Sequence, residues 1–257
     1  MSAELTTAKL DAFFRSFLEI EGFASNDRSL NGIQVDNDGS GIRKIAFAVD
    51  AAMETFEQAA AMNAGMLFVH HGLFWGVSSR MTANLRRRVK FLLDHNICLY
   101  AVHLPLDQHP KLGHNAVIAE LLGLENIEPF GLYHERKIGC KGTFAKPITV
   151  DEAVKKISFM NRPPLGVFPF GKKECSSAAI VSGGAAENAR EAAEEGIDLF
   201  ITGENSHQIY HDCLEGKFNM IAAGHYSTEV WGIHAVMRHC RTELGIDAEF
   251  IDVPTGL

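Results

Sequence analysis

The sequence is poor in cysteine, and its cysteines lack the pairing that a disulfide framework or a structural zinc site requires. Only five cysteines are scattered over 257 residues, and no C-x-x-C motif occurs. This pattern is typical of reduced thiols in an intracellular protein. The five are Cys98, Cys140, Cys175, Cys213 and Cys240.

Long apolar runs and an excess of basic residues are also missing. The longest apolar stretches have the length of strands, well below the ~20 residues of a membrane helix, and the N-terminal stretch lacks the apolar core of a signal peptide. Its apolar residues between Leu10 and Leu18 instead recur at helical spacing, which predicts an amphipathic helix. With 24 basic and 32 acidic residues the net charge is −8, which argues against a nucleic-acid scaffold but leaves a local basic patch open. We therefore expect a cytoplasmic protein that binds neither membranes nor nucleic acid.

Histidine, by contrast, is abundant: the chain has 12 histidines beside its 32 acids, and it is 46% hydrophobic. The apolar fraction excludes a disordered chain, and the length suits one large domain or two small ones. Histidine and carboxylate together supply the ligand types of a metal site, so their placement along the chain is the informative feature.

Short apolar runs alternate with helical stretches in both halves of the chain. This alternation predicts mainly parallel sheets covered by helices, with ligand-binding loops at the carboxyl ends of the strands. Gly65, Gly123 and Gly196 are placed to end the helices that precede them. We predict strands at 42–50, 66–70, 97–103, 136–144, 176–182, 197–201, 218–223 and 247–253. We predict helices at 51–64, 82–95, 113–122, 149–160, 205–215 and 228–243, and a turn followed by a helix at 183–195.

The two halves can be overlaid on each other. A shift of 132 residues matches two apolar strands and the helix between them, although generic apolar strands and Ala-rich helices give such a match as well. A shift of 122 residues is more informative, because it places His103 on His225 and Asp107 on Glu229. We therefore predict an α/β fold of duplicated, mainly parallel-sheet units packed together. The expected lobes are a metal-binding lobe at residues 1–127 with 222–257, and a second α/β lobe at residues 128–221.

The first candidate site segment is VHHGLFWG, which continues an apolar strand. His70 and His71 would diverge if the strand continued, but Gly72 allows a turn that lets both rings enter one space. The alternative interpretation is that one of the two histidines lies in the core and the other at the surface. Phe74 and Trp75 suit an apolar wall or an ordinary core.

The second candidate segment is AVHLPLDQHPKLGHN, which offers four potential ligands just after a strand. Pro105 and Pro110 stiffen this segment and disfavour a helix. Imidazole and carboxylate groups bind zinc, manganese or iron, but the same composition suits a solvated loop. The four potential ligands are His103, Asp107, His109 and His114.

The third candidate segment is GHYSTEVWGIH, in which His225 follows a strand and Ser227 or Thr228 can cap the next helix. Glu229 lies four residues after His225, so the two side chains would share a helix face, as a site or as an ordinary surface contact. All three segments follow strands. Jointly they offer enough ligands for two metal ions that share a carboxylate and polarise a substrate oxygen.

Weaker candidates lie at other strand ends. Gly183 and Gly184 could hold an anion, but no GK[ST] follows them and a tight turn explains them as well. Glu204 and His207 could act as acid–base groups or be solvated residues at a helix start. Asp50 has the same ambiguity.

These motifs together indicate a family. Over nearly its whole length the chain resembles the YbgI-like dinuclear metal-centre proteins, many of which are named GTP cyclohydrolase 1 type 2 homologues. The resemblance implies a toroidal homohexamer and the compact form of the family, without the inserted domain of longer members. Gly72 stands where many members have proline. The motifs are NGIQVDN (31–37), AVDA (48–51), HH (70–71), HLPLD (103–107), GGAA (183–186), ITGE (201–204) and GHYSTE (224–229).

The resemblance also implies two divalent ions per chain and five ligands for them. His70 and Asp107 would hold one ion. His71 and His225 would hold the other, and Glu229 would bridge the two. The ions would be zinc, iron or manganese, since mixed nitrogen and oxygen ligands accept all three. Outside this ligand set, His103 would be a supporting residue, and the catalytic candidates are Glu204, His207 and His103.

Two classes of function follow from such a centre. The first is a metal-dependent hydrolase for a nucleotide or related small molecule. By resemblance its substrate would be GTP, whose guanine ring water would open at C8 with release of formate. The residues themselves show no Walker-type phosphate loop or guanine-reading motif. The alternative is a non-catalytic protein for metal storage, delivery or regulation, and a third possibility is an interaction scaffold in which metal serves assembly.

Overall fold

A computed structural model describes residues 5–257, and residues 1–4 lie outside the described part. The chain divides into two compact units by internal packing. The first unit is Met1–Leu106, described from residue 5, together with Ile233–Val253. The second unit is Asp107–Gly232 with Pro254–Leu257. The lobes predicted above, residues 1–127 with 222–257 and residues 128–221, stay a prediction.

The described residues form an α/β fold with two sheets, as predicted. The strands are β1 (Gly32–Val35), β2 (Lys44–Asp50), β3 (Met66–His71), β4 (Cys98–Ala101), β5 (Leu124–Tyr133), β6 (Arg136–Ile148), β7 (Gly166–Pro169), β8 (Cys175–Val181), β9 (Leu199–Thr202), β10 (Asn219–Ala222) and β11 (Asp247–Phe250). The α-helices are α1 (Thr7–Leu18), α2 (Met53–Ala61), α3 (Ala83–Asp94), α4 (Leu104–Gln108), α5 (His114–Leu122), α6 (Val150–Ile157), α7 (Asn188–Glu194), α8 (His207–Gly216) and α9 (His225–Leu244).

The sheet of the first unit has the strand order β1-β4-β3-β2-β11. Strands β2, β3 and β4 run parallel, β11 is parallel to β2, and β1 is antiparallel to β4. The core of β2, residues 45–49, is buried throughout, as expected for a strand covered on both faces. Helix α1 has the predicted amphipathic pattern, since it buries Leu10, Phe14 and Leu18 at a spacing of four. The parallel strands bring the carboxyl ends of β3 and β4 to the same edge of this sheet.

The sheet of the second unit has the strand order β5-β6-β8-β9-β10-β7. Its parallel strands β8, β9 and β10 repeat the β2-β3-β4 arrangement, as the overlay of the two halves predicted. The antiparallel hairpin β5-β6 and the antiparallel edge strand β7 extend this triplet on its two sides. Within residues 5–257, no helix is both long and apolar enough to span a bilayer.

Three local predictions are wrong. Gly65 does not end α2, because Asn63 takes the left-handed conformation (φ 56°) and the Gly65 N–H donates to the carbonyl of Lys44. A helix, α4, forms despite Pro105, because proline in the first turn lacks only an N–H that has no helical partner. Neither Ser227 nor Thr228 caps α9, since the helix begins upstream of both residues.

Candidate metal centre

Three histidines of the first unit come together at the carboxyl ends of β3 and β4. One ring nitrogen from each of His70, His71 and His103 lies within 4.8 Å of the others. The ring centroid of His70 is 4.6 Å from that of His71 and 5.0 Å from that of His103. His70 is fully buried and His71 is partly exposed. Strand β3 ends at His71, so both rings of the HH pair join one cluster rather than opposite faces of a continuing strand.

His70 and His71 are each held by an oxygen at Nδ1. His70 Nδ1 lies 3.0 Å from the carbonyl oxygen of Val102, and His71 Nδ1 lies 2.8 Å from Asp50 Oδ1. Carbonyl and carboxylate oxygens only accept, so Nδ1 of each ring carries a proton, and in the neutral ring Nε2 then keeps the lone pair. Metal-binding histidines are oriented by such partners. Asp50, which the sequence left ambiguous, is therefore a positioning group for His71.

His103 is fixed by Asp27, whose side chain is buried and whose role is not visible in the sequence. Asp27 accepts hydrogen bonds from His103 Nδ1 and from the Leu104 N–H, both at 2.9 Å. It also accepts from the Ser29 N–H at 2.9 Å and from the Asn31 side chain at 2.8 Å. Burial favours the neutral acid, but these bonds, led by the one from His103, outweigh burial and hold the pKa of Asp27 below its ordinary value.

The turn after the HH pair is clamped by Gln34, which lies in the NGIQVDN motif. Gln34 Oε1 accepts from the N–H groups of Leu73 and Phe74, at 2.6 and 3.1 Å. A Cβ atom on Gly72 would meet the Gln34 amide and would stand 2.6 Å from the Cβ of Ala101. This close approach explains glycine at position 72. A proline here would require these neighbours to shift.

In the second unit, His225 and Glu229 begin α9 and contact each other across one turn. His225 Nε2 lies 3.0 Å from Glu229 Oε1, and His225 Nδ1 lies 2.6 Å from Glu204 Oε1. Burial lowers the pKa of His225, but the bonds with Glu229 and Glu204 outweigh burial and raise it to about 10. The pair therefore favours a positive charge at Nε2, which either a proton or a metal ion supplies.

The glycine turn after β8 provides the space for this pair. Gly183 has a left-handed φ of 70°, and a Cβ atom there would stand 2.5 Å from Glu229 Oε1 and 3.2 Å from His225 Nε2. The Gly183 N–H donates to Thr228 Oγ1 at 3.0 Å. Because this N–H already has a partner, the geometry favours a tight turn over an anion site at Gly183 and Gly184.

Asp107 is the other candidate carboxylate of the second unit. It is 6% exposed, and its Oδ1 accepts a hydrogen bond from Ser182 Oγ at 3.0 Å. Asn115 donates to the Asp107 carbonyl at 3.2 Å and accepts from the Ser182 N–H at 2.7 Å. Asn115 is the last residue of the second candidate segment, and the sequence alone indicates no role for it. Its burial beside Asp107 indicates that it holds the backbone of this carboxylate in place.

Other histidines of the candidate segments contact the backbone or lie at the surface. His109 Nδ1 accepts a backbone N–H in its own turn at 2.9 Å, and His114 Nδ1 accepts the Gly232 N–H at 3.1 Å. His207 is exposed at the start of α8, with its ring centroid 6.5 Å from that of His211. Of the three catalytic candidates, Glu204 and His103 thus contact predicted ligands within their own units, whereas His207 lies at an exposed helix start.

The donor chemistry of each unit suits a divalent transition-metal ion. The first unit offers the Nε2 atoms of His70 and His71, whose Nδ1 atoms are engaged. The second unit offers His225 Nε2 and the buried carboxylates of Asp107 and Glu229. Neutral imidazole with carboxylate is a ligand set for zinc, iron or manganese.

Fold and side-chain clusters thus define an α/β protein with groups that could bind metal. The chain belongs to the Duf34/NIF3 (NGG1p interacting factor 3) family, which it matches over residues 5–255. It is 43% identical to the "GTP cyclohydrolase 1 type 2 homolog" of Archaeoglobus fulgidus and 40% identical to the protein of that name from Treponema pallidum, each over 98% of this chain and 100% of the relative. The solved structure of "protein ybgI, unknown function" has a TM-score of 0.88 and 33% identity, and the match covers 98% of this chain and 100% of that chain.

Proposed function

We propose that the chain binds two divalent ions through His70, His71, Asp107, His225 and Glu229, and that it is a metal-dependent hydrolase. One observation carries the proposal. The three histidines all have Nδ1 held by a carbonyl or carboxylate oxygen, which directs Nε2 to a ligand. Solvated surface histidines need no such common arrangement. The resemblance assigns His70 and Asp107 to one ion, His71 and His225 to the other, and Glu229 to both.

Divalent ions in such a centre supply Lewis acidity and lower the pKa of water. The chain's own residues set the conditions for that chemistry. Asp50 and Glu204 hold the His71 and His225 rings in orientation. Asp27 keeps a proton on His103 Nδ1, so that His103 Nε2 is the atom that accepts or returns a proton during hydrolysis.

The proposed substrate is a nucleotide or related small molecule, and the names of the relatives make GTP the first candidate. Metal-loaded protein is incubated with a nucleotide panel, and formate and phosphate are measured separately. We expect formate from GTP and none from the Glu229→Gln variant. Phosphate release instead would identify a phosphoesterase, and the absence of both products would contradict the hydrolase.

A non-catalytic role in metal storage, delivery or regulation is the second candidate. The observation that favours it is depth of burial, because His70 is 0% exposed, Glu229 3% and Asp107 6%, which restricts access of a substrate to these groups. Protein that retains its metal tightly and releases neither formate nor phosphate from the nucleotide panel would support this role.

The remaining expectations concern assembly and location. We propose a toroidal homohexamer on the strength of the resemblance, which light scattering tests as a particle of six chains of 28.2 kDa each. A cytoplasmic location agrees with the five free, buried cysteines.

A further inference from the structure

A cavity of about 740 Å³ opens in the first unit beside the histidine cluster. Its walls come from the end of α1, the loop that follows, and the segment after the HH pair. Small-molecule sites typically enclose about 300–1,000 Å³, so a ligand of nucleotide size fits. The residues that matter for its chemistry are Trp75, Arg28, Ser29, Arg15 and Asp27.

Trp75 is a fixed aromatic wall of this cavity. Its Nε1 donates to the Gly72 carbonyl at 3.1 Å, and its ring packs edge-on against His103 with centroids 5.0 Å apart. Its centroid is 6.1 Å from that of His71. Asp27, which holds His103, lines the cavity as well. The cavity therefore shares its wall with the histidine cluster.

The two arginines of the cavity differ in their partners. Arg15 is neutralised by Asp11 and Glu21, which both pair with its guanidinium. Arg28 is exposed, and no ion pair among residues 5–257 involves it. The Arg28 carbonyl lies 2.9 Å from the position that a Cβ atom on Gly76 would take. The backbone of Arg28 therefore packs beside Gly76. Arg28 and Trp75 both line the cavity, so the unpaired positive charge of Arg28 is available there to an anion.

Ser29 adds a buried polar group to the same cavity. It is 5% exposed, and its hydroxyl has no hydrogen-bond partner in the described part of the chain, although its N–H bonds to Asp27. A buried hydroxyl without a partner is unfavourable, and a polar group on a ligand removes that cost.

We propose that this cavity binds a planar heteroaromatic ring that carries an anionic group, the chemistry of a nucleoside monophosphate. The ring stacks on Trp75, the anion pairs with Arg28, and a polar group of the ligand bonds to the Ser29 hydroxyl. Because Trp75 and Asp27 contact His103, this ligand is the substrate class of the hydrolase. The assignment of this ligand as the substrate rests on the proposed function, whereas the binding of the ligand to the cavity does not.

Tryptophan fluorescence tests the binding in metal-free protein. The chain has two tryptophans, Trp75 and Trp231, so the Trp231→Phe variant leaves Trp75 as the reporter. We expect saturable quenching by GMP, weaker quenching by guanosine and none by inorganic phosphate. Absence of saturable GMP quenching overturns the proposal even if metal binds elsewhere. Quenching in protein that never binds metal upholds the proposal and contradicts the hydrolase.

The anion contact is tested by Arg28→Gln, with Arg87→Gln as the matched control because Arg87 is an exposed arginine of α3. Calorimetry with GMP should show about tenfold weaker binding in Arg28→Gln, since a charge-assisted hydrogen bond is lost, and no change in Arg87→Gln. Guanosine affinity should change less than twofold in either variant. Equal weakening by both substitutions, or equal loss of GMP and guanosine binding, contradicts the assigned role of Arg28.

Discussion

Three histidine rings, at the end of β3 and the start of α9, are fixed at Nδ1 by a carbonyl or a carboxylate. At this residue scale the candidate ligands could be predicted, because histidine and acid directly after an apolar run are visible in a sequence. Their supporting residues could not. Asp27 and Asn115 are polar residues whose burial depends on tertiary packing, so in sequence they look like solvated loop and helix residues.

Removing the carboxylate behind His71 should weaken metal binding without touching a ligand. In Asp50→Ala, His71 loses the acceptor 2.8 Å from Nδ1, and we expect metal affinity to fall about 10–100-fold. Competition with a chromophoric chelator measures the change. Asp94→Ala, at an exposed acid of α3, is the control. Unchanged affinity in Asp50→Ala, or an equal loss in the control, would contradict the positioning role.

Asp27 should make the free energy of unfolding depend on pH under acidic conditions. Its pKa is depressed in the folded state, so its contribution is present above the unfolded value of about 3.9 and is lost as the pH falls through the folded value. At pH 5 we expect Asp27→Asn to lower the free energy of unfolding by about 2 kcal/mol, because charge-assisted bonds are lost. Urea titrations at pH 5 and pH 3 should show this difference shrinking. A difference that stays constant over that range is incompatible with the depressed pKa.

At the scale of elements, the parallel triplets β2-β3-β4 and β8-β9-β10 could be predicted, since their strands are short, continuously apolar runs. Strand β5 could not, because it buries only Leu124, Phe130 and Gly131 of its ten residues. Its place in the sheet comes from pairing with β6 rather than from an apolar pattern. The same limit applies to the glycine turns, whose purpose is visible only once the neighbouring side chains are placed.

Gly183 and Gly196 both have a left-handed backbone conformation. Alanine substitutions at these two positions therefore distinguish the effect of backbone strain from the effect of a clash with the candidate ligands. Gly183 has φ 70° and Gly196 has φ 74°, but a Cβ atom at Gly196 meets nothing within 4 Å. Alanine at either position should lower the free energy of unfolding by about 1 kcal/mol through left-handed strain. Only Gly183→Ala should also lose metal, since its Cβ displaces Glu229 and His225. Equal metal content in the two variants, measured by mass spectrometry, would contradict the assigned role of the turn.

At the scale of the whole molecule, the sequence motifs were sufficient for the family, and the match over residues 5–255 shows it. Composition was a poorer guide to surface charge. A net charge of −8 is an average, and α3 nevertheless exposes Arg86, Arg87 and Lys90 on one segment. Local potentials depend on such placement, which composition does not contain. The proposed ions would in turn offset the acidic charge near a bound anion.

Metal content per chain tests the central claim most directly. We expect protein purified without chelators and loaded with zinc, iron or manganese to hold two ions per chain, and Glu229→Gln to hold at most one. Glu243→Gln, at an exposed acid of the same helix α9, should keep both. A loaded wild-type protein without stoichiometric metal, or a Glu229→Gln variant that keeps two ions, would contradict the account.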